Sequence, residues 1–111
     1  MANILYFSEK VAFLGGTSVA IFPPKTSNYT VTAQDGFLLA NCTTGAITFT
    51  LPPAATSGGF VLYFKKIDST INAMIIQANG AELIDGSNTV STIIQYEAWT
   101  LMCDGTQWWI F

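Results

Sequence analysis

Short runs of alternating apolar and polar residues, separated by turn-forming residues, follow one another from residue 29 to the end of the chain. The alternation is clearest at Ile47, Phe49 and Leu51, and a period of two is typical of strands with one buried face. No run of ten or more residues keeps a helical period without interruption. The pattern predicts an all-β fold of short antiparallel strands in a sandwich, barrel or prism-like body.

The turn residues divide the chain into predicted strands. Asn79-Gly80 is the strongest short hairpin signal, and residues 52–59 form a loop rich in proline, alanine, serine and glycine. The predicted strands cover residues 29–32, 37–42, 46–51, 60–67, 71–78, 82–84 and 90–94.

The last segment, residues 95–111, carries all three tryptophans and reads QYEAWTLMCDGTQWWIF. Asp104-Gly105 suits a tight turn, so we predict a β-hairpin. A two-residue loop places Cys103 opposite Thr106 and a four-residue loop places it opposite Trp108, but both registers have the same parity. The face expected in the core therefore contains Trp99, Leu101, Cys103, Trp108 and Ile110.

The other face of this hairpin is also too apolar for an ordinary solvated surface. It holds Ala98, Thr100, Met102, Trp109 and Phe111. We expect Met102, Trp109 and Phe111 at an interface between subunits. The alternative is that Trp109 and Phe111, with Tyr63 and Tyr96, are stacking platforms for sugars.

Residues 1–28 differ from the rest and are predicted to form an extended N-terminal arm before a β domain of residues 29–111. Short apolar pieces alternate with polar stretches, and Pro23-Pro24 is a semi-rigid break. The arm either packs as strands on its own domain or attaches to a partner or neighbouring subunit. Its candidate attachment residues are Ile4, Tyr6, Phe7, Phe13 and Phe22.

The composition favours association. Half of the 111 residues are hydrophobic and only 10% are charged, against about 25% in ordinary soluble domains. Four lysines against seven carboxylates give a net charge of −3, which leaves no basic face for nucleic acid. Without histidine the chain has neither a Ser-His-Asp arrangement nor a histidine metal ligand, and no basic leader or unbroken apolar span indicates secretion or membrane insertion.

The remaining chemical groups have structural interpretations. Glu82 and Asp85 resemble a glycosidase acid pair but flank one turn. Lys65 and Lys66 are adjacent strand residues and point to opposite faces. One of them is expected to pair with Asp68 or to protect a sheet edge from pairing with another strand. The functional alternative is contact with an anionic glycan or an acidic capsid surface. We predict no enzyme and no catalytic, cofactor-binding or metal-binding residues. Cys42 and Cys103 are either buried thiols or a disulfide.

Three segments together resemble a small β domain of bacteriophage tail-fibre, tail-spike and head-fibre proteins: YTVTAQDGFLLANCTTGAITFTLPPAATSGGFVLYFKKID, IIQANGAELIDG and TIIQYEAWTLMCDGTQWWIF. The resemblance covers residues 29–111. It implies an intertwined or side-by-side homotrimer within a virion, in contact with other capsid or tail proteins.

The short arm favours a head fibre, decoration protein or short spike over a long fibre. The alternative function is a receptor-binding tip, with residues 52–59 and Asn88 in loops that bind host-surface glycan.

Overall fold

The structure is a computed structural model that describes residues 23–111. The candidate attachment residues lie outside this range, so their role stays a prediction: Ile4, Tyr6, Phe7, Phe13 and Phe22. Lys25 pairs with Ala40 in a parallel β-bridge, and its ammonium lies 3.9 Å from the centre of the Tyr29 ring. The last residues of the predicted arm therefore contact the β domain.

Residues 23–111 form eight strands, and their only helical element is a 3₁₀ turn at Ala54–Thr56. No helix in this range is long and apolar enough to cross a membrane. Seven of the eight strands fall within predicted β segments, which confirms the all-β class. The strands are β1 (Tyr29–Thr30), β2 (Phe37–Ala40), β3 (Ile47–Thr50), β4 (Val61–Lys66), β5 (Met74–Gln77), β6 (Thr89–Thr92), β7 (Ala98–Cys103) and β8 (Trp108–Ile110).

The strands form two four-stranded sheets with mixed directions. The first sheet has the order β1-β3-β5-β6 and the second the order β2-β4-β7-β8. The chain changes sheet at every step from β1 to β5, so the pairs β1/β3, β2/β4 and β3/β5 are parallel. The strands β2, β3 and β4 thus each serve as the crossover that a parallel pair in the other sheet needs. The prediction of antiparallel strands is correct for β5/β6, β4/β7 and β7/β8 only.

The core lies between the two sheets, and inward and outward residues alternate along the strands. In β4, for example, Leu62, Phe64 and Lys66 are buried, while Tyr63 and Lys65 are exposed. The largest fully buried apolar side chains are Trp108, Phe49, Phe64, Leu38, Ile47, Leu51, Leu62, Met74, Ile76, Ile84 and Leu101.

The connection between β5 and β6 differs from the prediction. Residues 82–84 do not form a strand of their own beside β5. Instead, Ile84 pairs with Trp108 at the edge of the second sheet, and a tight turn with positive φ at Asp85 and Gly86 follows. Asn79-Gly80 forms a turn, but it opens a long loop because β6 begins only at Thr89.

The C-terminal hairpin is present, with the four-residue loop. Cys103 pairs with Trp108, and the Asp104 amide donates to the Gln107 carbonyl at 3.1 Å. Leu101, Cys103 and Trp108 are buried, and Trp99 and Ile110 pack against the core. The predicted core face of the hairpin is therefore correct.

Candidate functional site

The outer face of the second sheet is apolar over most of its width. Seven large apolar side chains are at least partly exposed on strands β2, β4, β7 and β8 and on the residue that follows β8. We call this surface the aromatic face; it consists of Phe37, Leu39, Val61, Tyr63, Met102, Trp109 and Phe111. Phe111 is 75% exposed, Tyr63 42% and Trp109 41%.

Strand register brings these side chains into contact. Phe37 lies beside Tyr63, and their rings stack with centroids 4.7 Å apart and planes 13° from parallel. Met102 is paired with Val61 on one side and with Trp109 on the other. The structure therefore brings the three predicted interface residues onto one surface together with Phe37 and Tyr63 from strands distant in sequence.

The Trp109 indole is held in place by the hairpin loop. Its Nε1 donates to Asp104 Oδ2 at 2.9 Å, and Asp104 Oδ1 accepts the Thr106 and Gln107 amides at 2.8 Å each. The hydrogen bonds from Gln107, Trp109 and Thr106 lower the pKa of Asp104 below its ordinary value. The exposed indole is thus oriented before any partner binds.

The outer face of the first sheet is polar. Its outward side chains are mostly hydroxyls, it carries no charge, and Ile75 is its one large apolar residue. We call this surface the threonine face; it consists of Thr30, Thr48, Thr50, Ile75, Gln77, Thr89 and Ser91. The two outer faces of one domain therefore differ sharply in polarity, and only one has the character of an ordinary solvated sheet.

A second apolar surface lies at one end of the domain, where β4 leads into β5 and β6 into β7. Four large side chains are exposed there by 55 to 81%: Ile71, Ile93, Ile94 and Tyr96. We call this surface the apolar end. Its two loops are joined directly, because the Tyr96 amide donates to the Lys66 carbonyl at 2.7 Å and the Gln95 amide side chain to the Ile67 carbonyl at 3.2 Å.

Beneath the apolar end lies a buried ion pair. Lys66 is fully buried, and its ammonium contacts Asp68 Oδ2 at 2.9 Å and the Thr70 carbonyl at 2.7 Å. Asp68 also accepts the Cys42 amide at 2.7 Å. Burial alone would raise the pKa of Asp68, but the hydrogen bonds from Thr70, Cys42 and Lys66 outweigh it and hold that pKa well below its usual range. The predicted pairing of a lysine with Asp68 is confirmed, and Lys66 is not accessible to a ligand.

The carboxylates of Glu82, Asp85 and Asp35 make structural hydrogen bonds, as predicted from the sequence. Glu82 accepts the Ala54 amide at the start of the 3₁₀ turn at 3.1 Å. Asp85 accepts the amide of Ile110 on β8 at 3.1 Å, which is a longer-range contact than the turn bond expected from sequence. Asp35 is buried and accepts the Tyr29 hydroxyl at 2.9 Å, and burial together with this bond raises the pKa of Tyr29.

Cys42 and Cys103 are buried free thiols and form no disulfide. Burial raises the pKa of both thiols.

The loops proposed for glycan binding make hydrogen bonds within the domain. The Asn88 side chain donates to the carbonyls of Gly80 and Glu82. In the loop of residues 52–59, the hydroxyl of the buried Ser57 donates to the Pro53 carbonyl at 2.7 Å.

Within residues 23–111 no three carboxylate or cysteine side chains come together as a metal-binding group. The apolar end was not predicted as a surface. The prediction placed Ile71 in strand 71–78 and Ile93 and Ile94 in strand 90–94. In the structure β5 begins at Met74 and β6 ends at Thr92, and these two residues pair, so the isoleucines lie in loops at the same end of the domain.

No family model matches this chain, and no curated protein or solved structure shows a significant similarity to it.

Proposed function

We propose that this protein is a structural, adhesive component of a bacteriophage virion, a head fibre, decoration protein or short tail spike, which assembles as a homotrimer. The observation that carries the proposal is the aromatic face, where Trp109 and Phe111 stand exposed and Trp109 is fixed by Asp104. The virion context and the number three come from the sequence resemblance.

The free energy of exposing apolar side chains to water favours a subunit contact at the aromatic face. The exposed parts of Tyr63, Trp109 and Phe111 amount to roughly 350 Å² if each whole side chain offers about 150–250 Å². At about 25 cal/mol per Å², covering them contributes on the order of 9 kcal/mol before the costs of association. A preordered aromatic surface loses little conformational freedom on binding, which is typical of interface residues that dominate affinity.

The other parts of the proposal concern partners. The arm, with Ile4, Tyr6, Phe7, Phe13 and Phe22, attaches the domain to a capsid or tail protein, and the β domain projects outward. No catalysis is required of it. The alternative is a receptor-binding tip, in which the exposed rings of Trp109 and Phe111 stack on a host-surface glycan.

Sedimentation velocity of the full chain at micromolar concentration tests the proposal. We expect a trimer for the parent, monomers for the double variant Trp109→Ser/Phe111→Ser, and an unchanged trimer for the control Gln77→Ser on the threonine face. A monomeric parent would contradict the assembly. A monomer that binds host cells through Trp109 would establish the receptor-binding alternative.

A further inference from the structure

The seven most exposed large hydrophobic side chains in the described part of the chain lie on two surfaces. Tyr63, Trp109 and Phe111 belong to the aromatic face, and the other four form the apolar end. The two surfaces adjoin but are distinct. Between them lies Lys65, exposed on β4, whose ammonium is 5.9 Å from the centre of the Tyr96 ring.

A trimer with threefold symmetry requires two different contact surfaces on each subunit. In a cyclic trimer each contact joins two different patches, whereas a twofold dimer joins one patch to its own copy. Both surfaces expose several large apolar side chains. Three on the aromatic face expose roughly 350 Å² by the aromatic side-chain areas used above, and four on the apolar end are exposed by 55 to 81%. The area on the aromatic face is close to the apolar share of a standard interface, which covers about 800 Å² per partner.

We propose that the aromatic face of one subunit seats on the apolar end of the next subunit and that this contact closes the ring. The inference rests on the proposed function, because it specifies how the same subunits meet. The occupant of the apolar end is therefore a second copy of this chain.

The apolar end is built as a preformed surface. The Lys66–Asp68 pair fixes the loop that bears Ile71, and the buried Thr92 donates its hydroxyl to Glu97 at the base of the other loop. The nearest acidic side chains, Asp68 and Glu97, are thus engaged internally, and the exposed tips carry no acidic group. A charge-poor patch of this kind matches the centre of an interface.

Tyr96 supplies an independent indication. Its φ is +70°, in the left-handed region that glycine adopts freely and a bulky residue does not. It occupies the third position of a turn closed by the Glu97 amide and the Ile94 carbonyl at 3.2 Å. An exposed aromatic ring in a strained position where glycine would fit indicates that the ring has a use outside the fold.

Two variants, each damaged on one surface, test the pairing. Trp109→Glu removes the aromatic face and Ile94→Glu removes the apolar end. We expect each variant alone to sediment as a monomer and their equimolar mixture to form a one-to-one dimer at high micromolar concentration. In the mixture, the intact end of the first variant meets the intact face of the second. Thr89→Glu on the threonine face is the control and should remain a trimer.

Tyr96→Gly separates association from folding. It should melt at a temperature no lower than the parent, measured at a concentration where both are monomeric, because glycine relieves the positive φ, and yet lose the trimer. If Ile94→Glu and Tyr96→Gly both remain trimers, the apolar end is not in the contact and the inference is wrong, while the proposed function stands. A mixture of two monomeric variants that forms no dimer also overturns the pairing. A monomeric parent protein would refute the proposed function itself.

Discussion

Replacing Asp68 with alanine should destabilise the domain more than any surface substitution. Its carboxylate accepts the Lys66 ammonium at 2.9 Å, the Cys42 amide at 2.7 Å, the Thr70 amide at 3.1 Å and the Thr70 hydroxyl. Without it, an ammonium that is 0% exposed keeps only carbonyl partners. Removing one partner of a buried pair costs about 3–5 kcal/mol, a large share of the roughly 5–15 kcal/mol that stabilises a domain.

Urea unfolding followed by tryptophan fluorescence at pH 7 measures this loss. Protein concentration is held constant because association shifts apparent stability. Lys66→Met should cost less, about 1–2 kcal/mol, since Asp68 keeps the donors of Cys42 and Thr70. Lys65→Met is the matched control on the exposed neighbour and should stay within about 0.5 kcal/mol. A loss below about 1 kcal/mol for Asp68→Ala would refute this account of the ion pair.

The same carboxylate gives the domain a defined acid sensitivity. The pKa of Asp68 is lower in the folded protein than in the unfolded chain, so its stabilisation is present above the unfolded value of about 3.9. It is lost as the pH falls from about 4 toward the lower folded pKa. The stability of Asp68→Asn should therefore fall less steeply than that of the parent below pH 4, and equal slopes would contradict the lowered pKa.

Two further predictions concern the turns and the thiols. Gly86→Ala should lower the free energy of unfolding in urea by about 1–2 kcal/mol, because the φ of Gly86 is +87°. The control Gly58→Ala should leave it unchanged, since the added Cβ meets the Gly105 Cα at an ordinary 3.6 Å. Equal effects of the two substitutions would contradict the backbone explanation. Iodoacetamide at pH 8 should leave Cys42 and Cys103 unmodified in the folded protein and alkylate both in urea, because burial raises the pKa of each thiol. Mass spectrometry of the intact chain measures the modification. Rapid modification without urea would show that the thiols are accessible.

The C-terminal hairpin shows how far local pattern reaches. Parity alone separated Trp108 from Trp109, because successive side chains of a strand point to opposite faces whatever the loop length. The structure places Trp108 in the core and leaves Trp109 exposed. Loop length itself was left open by the sequence, since Asp104-Gly105 suits more than one turn.

The segment after Asn79-Gly80 shows where local pattern fails. A strong turn signal predicted a short hairpin, yet Ile84 pairs with Trp108 of the other sheet. The partner of a strand depends on which elements become neighbours in space. Turn residues specify that the chain bends and do not specify what it meets next.

The sequence by itself determined the β class, most strand positions, the inward and outward sides of the C-terminal hairpin and the shortage of charge that favours association. These properties depend on side-chain periodicity, turn chemistry and composition, which are local or additive. Only the tertiary structure decided the parallel pairing within each sheet, the burial of Lys66 beside Asp68, and the gathering of Phe37 and Tyr63 with Trp109 on one face. Each depends on contacts between residues far apart in the chain, because the free energy of burial is determined by the neighbours that the whole fold provides.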